Sequence, residues 1–157
     1  MPPKRKKSDS APQRRIENYV RQRLARKLGW PTPLKPQRIS YKTGLMEFDC
    51  YGEHDGTVLL GEINAHHGPL KAAQKNKVIR DIFKMFAQKT EQDNRVGVGN
   101  VRMVIVFTND EAANFLQGHS WIAEVARDFG IESIVVQLNP AQIKLLQKTQ
   151  SDQDLRN

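Results

Sequence analysis

Two carboxylates thirteen residues apart, Asp49 and Glu62, stand on either side of the dipeptide Asp55-Gly56 in the stretch LMEFDCYGEHDGTVLLGEINAH, residues 45–66. Apolar, β-prone runs joined by Asp-Gly predict a hairpin, because a type I′ turn needs positive φ at both central residues. With Asp55 and Gly56 as the loop, His54 opposes Thr57, and the same register sets Asp49 directly opposite Glu62. Opposed residues point to one face, with Cβ atoms about 4.5–5.5 Å apart. On the other face the expected pairs are Met46–Ala65, Phe48–Ile63 and Cys50–Gly61, all apolar or small, as a core face requires. Facing carboxylates repel unless a shared proton, a basic side chain or a divalent cation compensates them. A hard cation such as Mg2+ takes oxygen ligands, often one or two carboxylates plus substrate phosphates. Such an ion lowers the pKa of a bound water and stabilises the oxygens of an in-line displacement at phosphorus. The plainer alternative is an exposed face on which one acid meets a lysine.

The flanking sequence supplies the frame for this hairpin. Ile16, Tyr19, Val20, Leu24 and Leu28 recur at spacings of three and four and predict a helix over 13–29, ended by Gly29. Residues 30–37 hold three prolines and read as an extended linker, with a short strand from Ile39 to Tyr41. After the hairpin come a helix over 70–88, a strand over 101–107 and a helix over 110–128 capped by Asn109 or Asp110. A strand over 133–138, a short helix from Pro140 and a polar tail over 149–157 complete the chain. The order α-β-β-β-α-β plus α-β predicts an α/β sandwich of two or three layers. Its mixed sheet starts antiparallel and continues through parallel crossovers. One domain is expected over 13–148.

The charge is unevenly placed. The chain carries a net +8, and residues 1–30 hold ten Lys and Arg against two acids, so the remainder is neutral. Residues 1–12 (MPPKRKKSDSAP) read as a disordered basic arm. Lys4, Arg5, Lys6 and Lys7, with Arg14 and Arg15 on the first helix, form the expected nucleic-acid contact, since neutralised phosphates release counterions. PPKRKK equally suits a nuclear import signal. No apolar run approaches the roughly 18 residues of a membrane span. No apolar stretch follows the basic residues, so no secretory signal is expected. The single cysteine, Cys50, suggests a reducing intracellular setting, cytoplasmic or nucleoid, or nuclear in a eukaryotic cell.

The pattern F-D-C-Y around Asp49, E-I-N at Glu62 and a helix beyond resembles the PD-(D/E)XK nuclease superfamily, which includes restriction enzymes and Holliday-junction resolvases. The resemblance covers residues 14–107, with 108–138 as a peripheral continuation. It implies a restriction-endonuclease-like core and a Mg2+- or Mn2+-dependent DNA endonuclease hydrolysing phosphodiester bonds, with no other small-molecule cofactor. A homodimer would be required for cutting two strands. By the same resemblance, Asp49 and Glu62 match the metal-binding acids, and Glu17 matches an acid often found on the first helix. The sequence departs from the pattern at two places. Phe48 stands where Pro precedes the first acid, and Asn64 stands where the motif has its lysine. Asn64 can donate a hydrogen bond but carries no charge. Either a lysine reaches in from elsewhere, or the chain is a catalytically inactive nuclease-fold DNA-binding protein.

The following helix offers substitutes. Its apolar stripe, read through Val78, Ile79, Ile82, Phe83, Met85 and Phe86, places Lys75 near its centre and Lys71 about 40° away. A lysine on a buried face is costly unless it meets a carboxylate. Lys77 and Gln74 are secondary candidates. His66 either lies near the site or, like His67, is polar surface as loop histidines usually are. Cys50 reads as core, the GVGNV string at 97–101 as a loop, and Trp121, Ile122 and Val125 as helix core.

Overall fold

The computed structural model describes residues 11–95 and 99–155. Lys4, Arg5, Lys6 and Lys7 of the expected arm, and residues 97 and 98 of the expected loop, lie outside the described residues. In order, the elements are α1 (Ala11–Leu28), β1 (Lys35–Tyr41), β2 (Gly44–His54), β3 (Thr57–Asn64), α2 (Ala72–Asp93) and β4 (Asn100–Phe107). They continue with α3 (Asp110–Gln117), α4 (Trp121–Asp128), β5 (Ile131–Val135) and α5 (Pro140–Asp154). The strands form one five-stranded sheet in sequence order. The first three strands are antiparallel and the last two join in parallel. Among the described residues no helix is long and apolar enough to cross a membrane.

The α/β sandwich has three layers. One face of the sheet packs Val58, Leu60, Met103 and Ile105 against Val78, Ile82 and Met85 of α2 and the small residues of α3 and α4. The other packs Leu59, Ile63, Val104 and Val106 against Ile16, Val20 and Leu24 of α1 and Leu146 of α5. The parallel strands β3 and β4 are therefore apolar on both sides, as covered strands are.

Several boundaries differ from expectation. The first helix begins at Ala11, taking in Pro12, which the first turn accepts because the N–H that proline lacks would have no intrahelical partner there. The first strand begins at Lys35 and so includes Pro36, tolerated because β1 is a sheet edge. The single helix expected over 110–128 is two. Gly118 caps the first, and the Ser120 hydroxyl accepts from the Ala123 N–H to start the second. The last strand starts at Ile131, not 133, and α5 carries the polar residues expected as tail out to Asp154.

The reversal falls where expected. Asp55 and Gly56 have φ of 47° and 73°, both left-handed. His54 pairs with Thr57, and the register continues through Glu53–Val58 and Gly52–Leu59 to Cys50–Gly61. Gly61 suits this last pair, because a Cβ there would fall 2.8 Å from that of Cys50.

Beyond Cys50 the expected alternation fails. Lys35 of β1 pairs with Tyr51, yet Gln37 pairs with Phe48, so β2 carries one extra residue between them. Such a bulge reverses which face each side chain takes. Cys50 lies in the α1–α5 core, while Phe48, two residues earlier, lies in the α2 core with Met46 against it. The expected sharing of a face by Phe48 and Ile63, and by Met46 and Ala65, is therefore wrong. Asp49 sits at the point of reversal.

Candidate active site

The bulge is fastened from both sides. Arg21, buried on the inner face of α1, donates from Nη1 to the Asp49 carbonyl oxygen at 3.0 Å and from Nη2 to Asn18 Oδ1 at 2.5 Å. The Asp49 carboxylate turns back to the partner strand, where Oδ2 accepts from the Ile63 N–H at 3.0 Å. An arginine at this depth needs such partners, because a buried cation without them is costly.

Glu62 is 3% exposed, and its carboxyl lies within the influence of the Asp49 carboxylate. Burial first, then the hydrogen bond and charge of Asp49, push the Glu62 pKa up to about 9, while contact with Lys84 pulls the other way. Two acids at one point thus hold a proton that an isolated glutamate would have lost well below neutrality. Lys84 supplies the basic side chain, one of the compensations considered from sequence. Lys84 of α2 makes an ion pair with Glu62 Oε1, donates to the Glu47 carbonyl oxygen at 2.6 Å and lies 4.8 Å from the centre of the Phe48 ring.

One turn back along α2 is Asp81, buried and 2.7 Å from Lys77 Nζ, with Lys84 Nζ at 3.9 Å. Burial works to lower the Lys77 pKa, but the Asp81 hydrogen bond and the charges of Asp81, Glu62 and Asp49 outweigh it and raise the pKa. Lys77 therefore stays cationic in the field of both acids, with its side chain 46% exposed.

Of these residues Lys77 lines a cleft of about 180 Å3 where β3 ends and α2 begins, a usual ligand position in sheets with parallel strands. Asn64, Lys71, Gln74 and Lys77 line one side, and Gln150 on α5 lines the other. Asn64 is buried, and its Oδ1 has no hydrogen-bond partner among the described residues. His66, for which the sequence left surface and site both open, is buried at the cleft. Its Nδ1 is 2.5 Å from Gln150 Nε2, and its carbonyl oxygen accepts from Thr108 Oγ1 and Asn109 Nδ2. Burial, aided by Lys71, lowers its pKa, so the ring is neutral at neutral pH.

The proposed lysines separate. Lys75 is exposed and points towards α3, its Nζ 5.7 Å from the Phe115 ring centre, so its expected place beside the acids is wrong. The cause is the rotation of α2. The buried face carries Asp81, Gln88 and Gln92 among Val78, Ile82 and Met85, while Ile79 and Phe83 face outward. Buried polar residues move the true stripe away from the one that hydrophobicity draws. Lys71 is exposed at the N-cap of α2, where its N–H donates to Gln74 Oε1, and it reaches the cleft but not the acid pair. Lys84 and Asp81 are functional candidates that sequence reasoning missed. Their signal is the i, i+4, i+7 spacing of Lys77, Asp81 and Lys84 on one helix flank.

Glu17 is half-buried on α1 and accepts from Gln13 Nε2 at 3.3 Å. Burial and then the charge of Asp49 raise its pKa, against Arg21. Among the described residues no three His, Cys, Asp or Glu side chains form a metal-holding cluster, so Glu17 does not complete one. The donors that do converge are the carboxylates of Asp49 and Glu62, with the orphaned Asn64 oxygen two residues along the same strand face. Arg14 and Arg15 are exposed on the outer face of α1. Comparison with known proteins finds no matching family model, no matching curated protein and no matching solved structure.

Proposed function

We propose that the protein is a divalent-cation-dependent DNA endonuclease whose site is built on Asp49 and Glu62. The observation that carries the reading is the buried contact between these carboxylates, with Lys77 and Lys84 converging on it. A fold gains nothing from two acids in apolar surroundings unless something binds there. Mg2+ or Mn2+ held by the two acids would supply an activated water and charge stabilisation at phosphorus. Glu62 must release its proton to take up the ion, which ties ion affinity to pH. Asn64 orients by hydrogen bonding within the cleft. Lys77, cationic and half-exposed, stands in for the motif lysine by contacting a phosphate oxygen, while Lys84 holds Glu62 in place. Arg14 and Arg15 bind flanking phosphates, as Lys4, Arg5, Lys6 and Lys7 would.

The test is a cleavage panel with Mg2+ or Mn2+ on linear, branched and single-stranded DNA. Asp49→Ala and Glu62→Ala should abolish cleavage while DNA binding persists. Lys77→Met should slow cleavage about 10²-fold, the loss typical of one donor to a developing charge. Cleavage that survives both acid substitutions would end the proposal. A second reading, a nuclease-fold DNA-binding protein without catalysis, is favoured by one observation. Lys84 already contacts Glu62 Oε1, an oxygen that a bound cation would take. It predicts salt-dependent binding and no cleavage with either ion.

A further inference from the structure

A second pocket, of about 410 Å3, lies at the far end of α1 from the cleft. Arg23, Arg26 and Lys27 line it, with Val136 and Gln137 from the segment between β5 and α5. All three cations are exposed, and among the described residues none of them pairs with an acid. Lys27 Nζ donates to the Val135 carbonyl oxygen at 2.5 Å, and the Arg23 guanidinium lies 5.9 Å from the centre of the Tyr19 ring. The acids of the neighbouring elements are engaged. Glu132, the one acid of β5, is gripped by Arg102 at 2.6 and 2.7 Å. Asp110 accepts from Gln137 Nε2 at 3.3 Å and sits in the first turn of α3, where the helix dipole favours it. The dipole of α1 likewise favours Arg26 and Lys27 in its last turn, but the effect fades before Arg23. Arg23 stands three residues from one cation and four from the other, spacings at which like charges destabilise a helix. Three unpaired cations around one hollow call for an anion.

The rest of this layer identifies the anion. Arg15, Asn18, Gln22 and Arg26 recur at spacings of three and four and form one exposed strip along the outside of α1. The strip holds no acid; Glu17, the one acid of α1, is half-buried beside Gln13. Beside it, α5 carries the exposed Lys144 and Lys148, and its two acids, Asp152 and Asp154, fall in the last turn. The outside of the α2–α4 layer mixes its charges, with Arg80 and Arg127 among Glu91, Glu124 and Asp128. Trp121 and Val125, expected as helix core, are also exposed there, and Ala123 and Ala126 take the buried side of α4. Gln13, in the first turn of α1, lines the cleft, so the strip runs from the cleft to the pocket. From Gln13 to Arg26 the helix rises about 20 Å. A nucleic-acid strand places a phosphate about every 3.4 Å, so roughly six steps cover that length. Arginines with side-chain amides between them are the usual donors to such a backbone. A membrane surface fits less well, because binding one needs an exposed apolar face, and that of α1 (Ile16, Val20 and Leu24) is buried in the core.

We infer that α1 is a track for a nucleic-acid backbone leading away from the cleft, and that Arg23, Arg26 and Lys27 hold a phosphate at its far end. The inference rests on the proposed function in taking DNA as the ligand, but it needs no catalysis to test. Anisotropy of a labelled duplex of about 20 base pairs, well beyond the six steps of the track, is read in EDTA across a salt series. Arg23→Glu with Arg26→Glu should weaken binding at least tenfold, lower the salt slope by about two and leave the melting temperature unchanged, since both side chains are exposed. Arg23→Gln with Arg26→Gln, which adds no negative charge, should act in the same direction. Lys75→Glu with Arg80→Glu on α2 changes the net charge equally and should weaken binding less than about threefold. Equal losses from the two glutamate pairs, or none from the α1 pair, would overturn the inference. So would tripolyphosphate or phosphatidylserine vesicles that the wild type binds and the α1 variant does not while DNA affinity holds. The expected binding pattern without cleavage leaves the track standing and ends the endonuclease; cleavage without that pattern does the reverse.

Discussion

Glu62 and Glu132 are two glutamates on one sheet, and their surroundings are opposite. Glu132 on β5 receives both Nε and Nη2 of Arg102, at 2.6 and 2.7 Å, a two-pronged pair at a partly exposed edge. Glu62 on β3 is buried against another acid and holds a proton. The same fold thus satisfies one carboxylate completely and leaves its neighbour two strands away in conflict. Buried acids in conflict occur at sites kept for binding rather than for stability, which is why the proposed function is built on Glu62 and not on Glu132.

The largest contrast should be in chemistry. Asp49→Ala or Glu62→Ala should remove cleavage, whereas Glu132→Ala should leave the rate unchanged, both read on one DNA substrate with Mg2+. In stability the order inverts. Glu62→Gln removes an ionisation that the buried site resists, and should stabilise the metal-free protein at pH 8 by on the order of 1–3 kcal/mol. The folded pKa of Glu62, about 9, exceeds its ordinary 4.5. The stability it contributes is therefore fully present below about pH 4.5 and is lost as pH rises through 9. Melting curves from pH 5 to 9 should show the wild type falling relative to the variant; parallel curves would contradict a protonated Glu62. Lys84→Met should move the wild-type midpoint upward, because Lys84 holds the Glu62 pKa down, and should cost about 1–2 kcal/mol at neutral pH. Glu132→Gln should change stability by less than about 1 kcal/mol, as partly exposed pairs do.

The hairpin is legible in the sequence because its turn is local chemistry. Asp55 and Gly56 announce positive φ, and period-two counting from them carries the register to Cys50–Gly61. It stops being legible one residue later, because the bulge is set by how β1 and α1 grip β2, and no residue type at 48–50 encodes it. The acids still meet, since Asp49 sits at the reversal. The orientation of α2 is hidden for a related reason. Asp81, Gln88 and Gln92 are buried by tertiary packing, and any hydrophobicity count treats them as outward. That mistaken rotation favours Lys75 and passes over Lys84. The break between α3 and α4 is readable in Gly118 and Ser120, a stop followed two residues later by a start.

The crossing of β2 from one layer to the other has a wider effect. A regular strand shows each side chain to a single helical layer. Asp49, on the seam, is felt by Glu17 from α1 and by Lys77 from α2. The Arg21 strap ties the first helix to the backbone of Asp49, so the position of this carboxylate depends on α1 as well as on the strands beside it. One inserted residue makes that group a junction between layers that otherwise have a sheet between them.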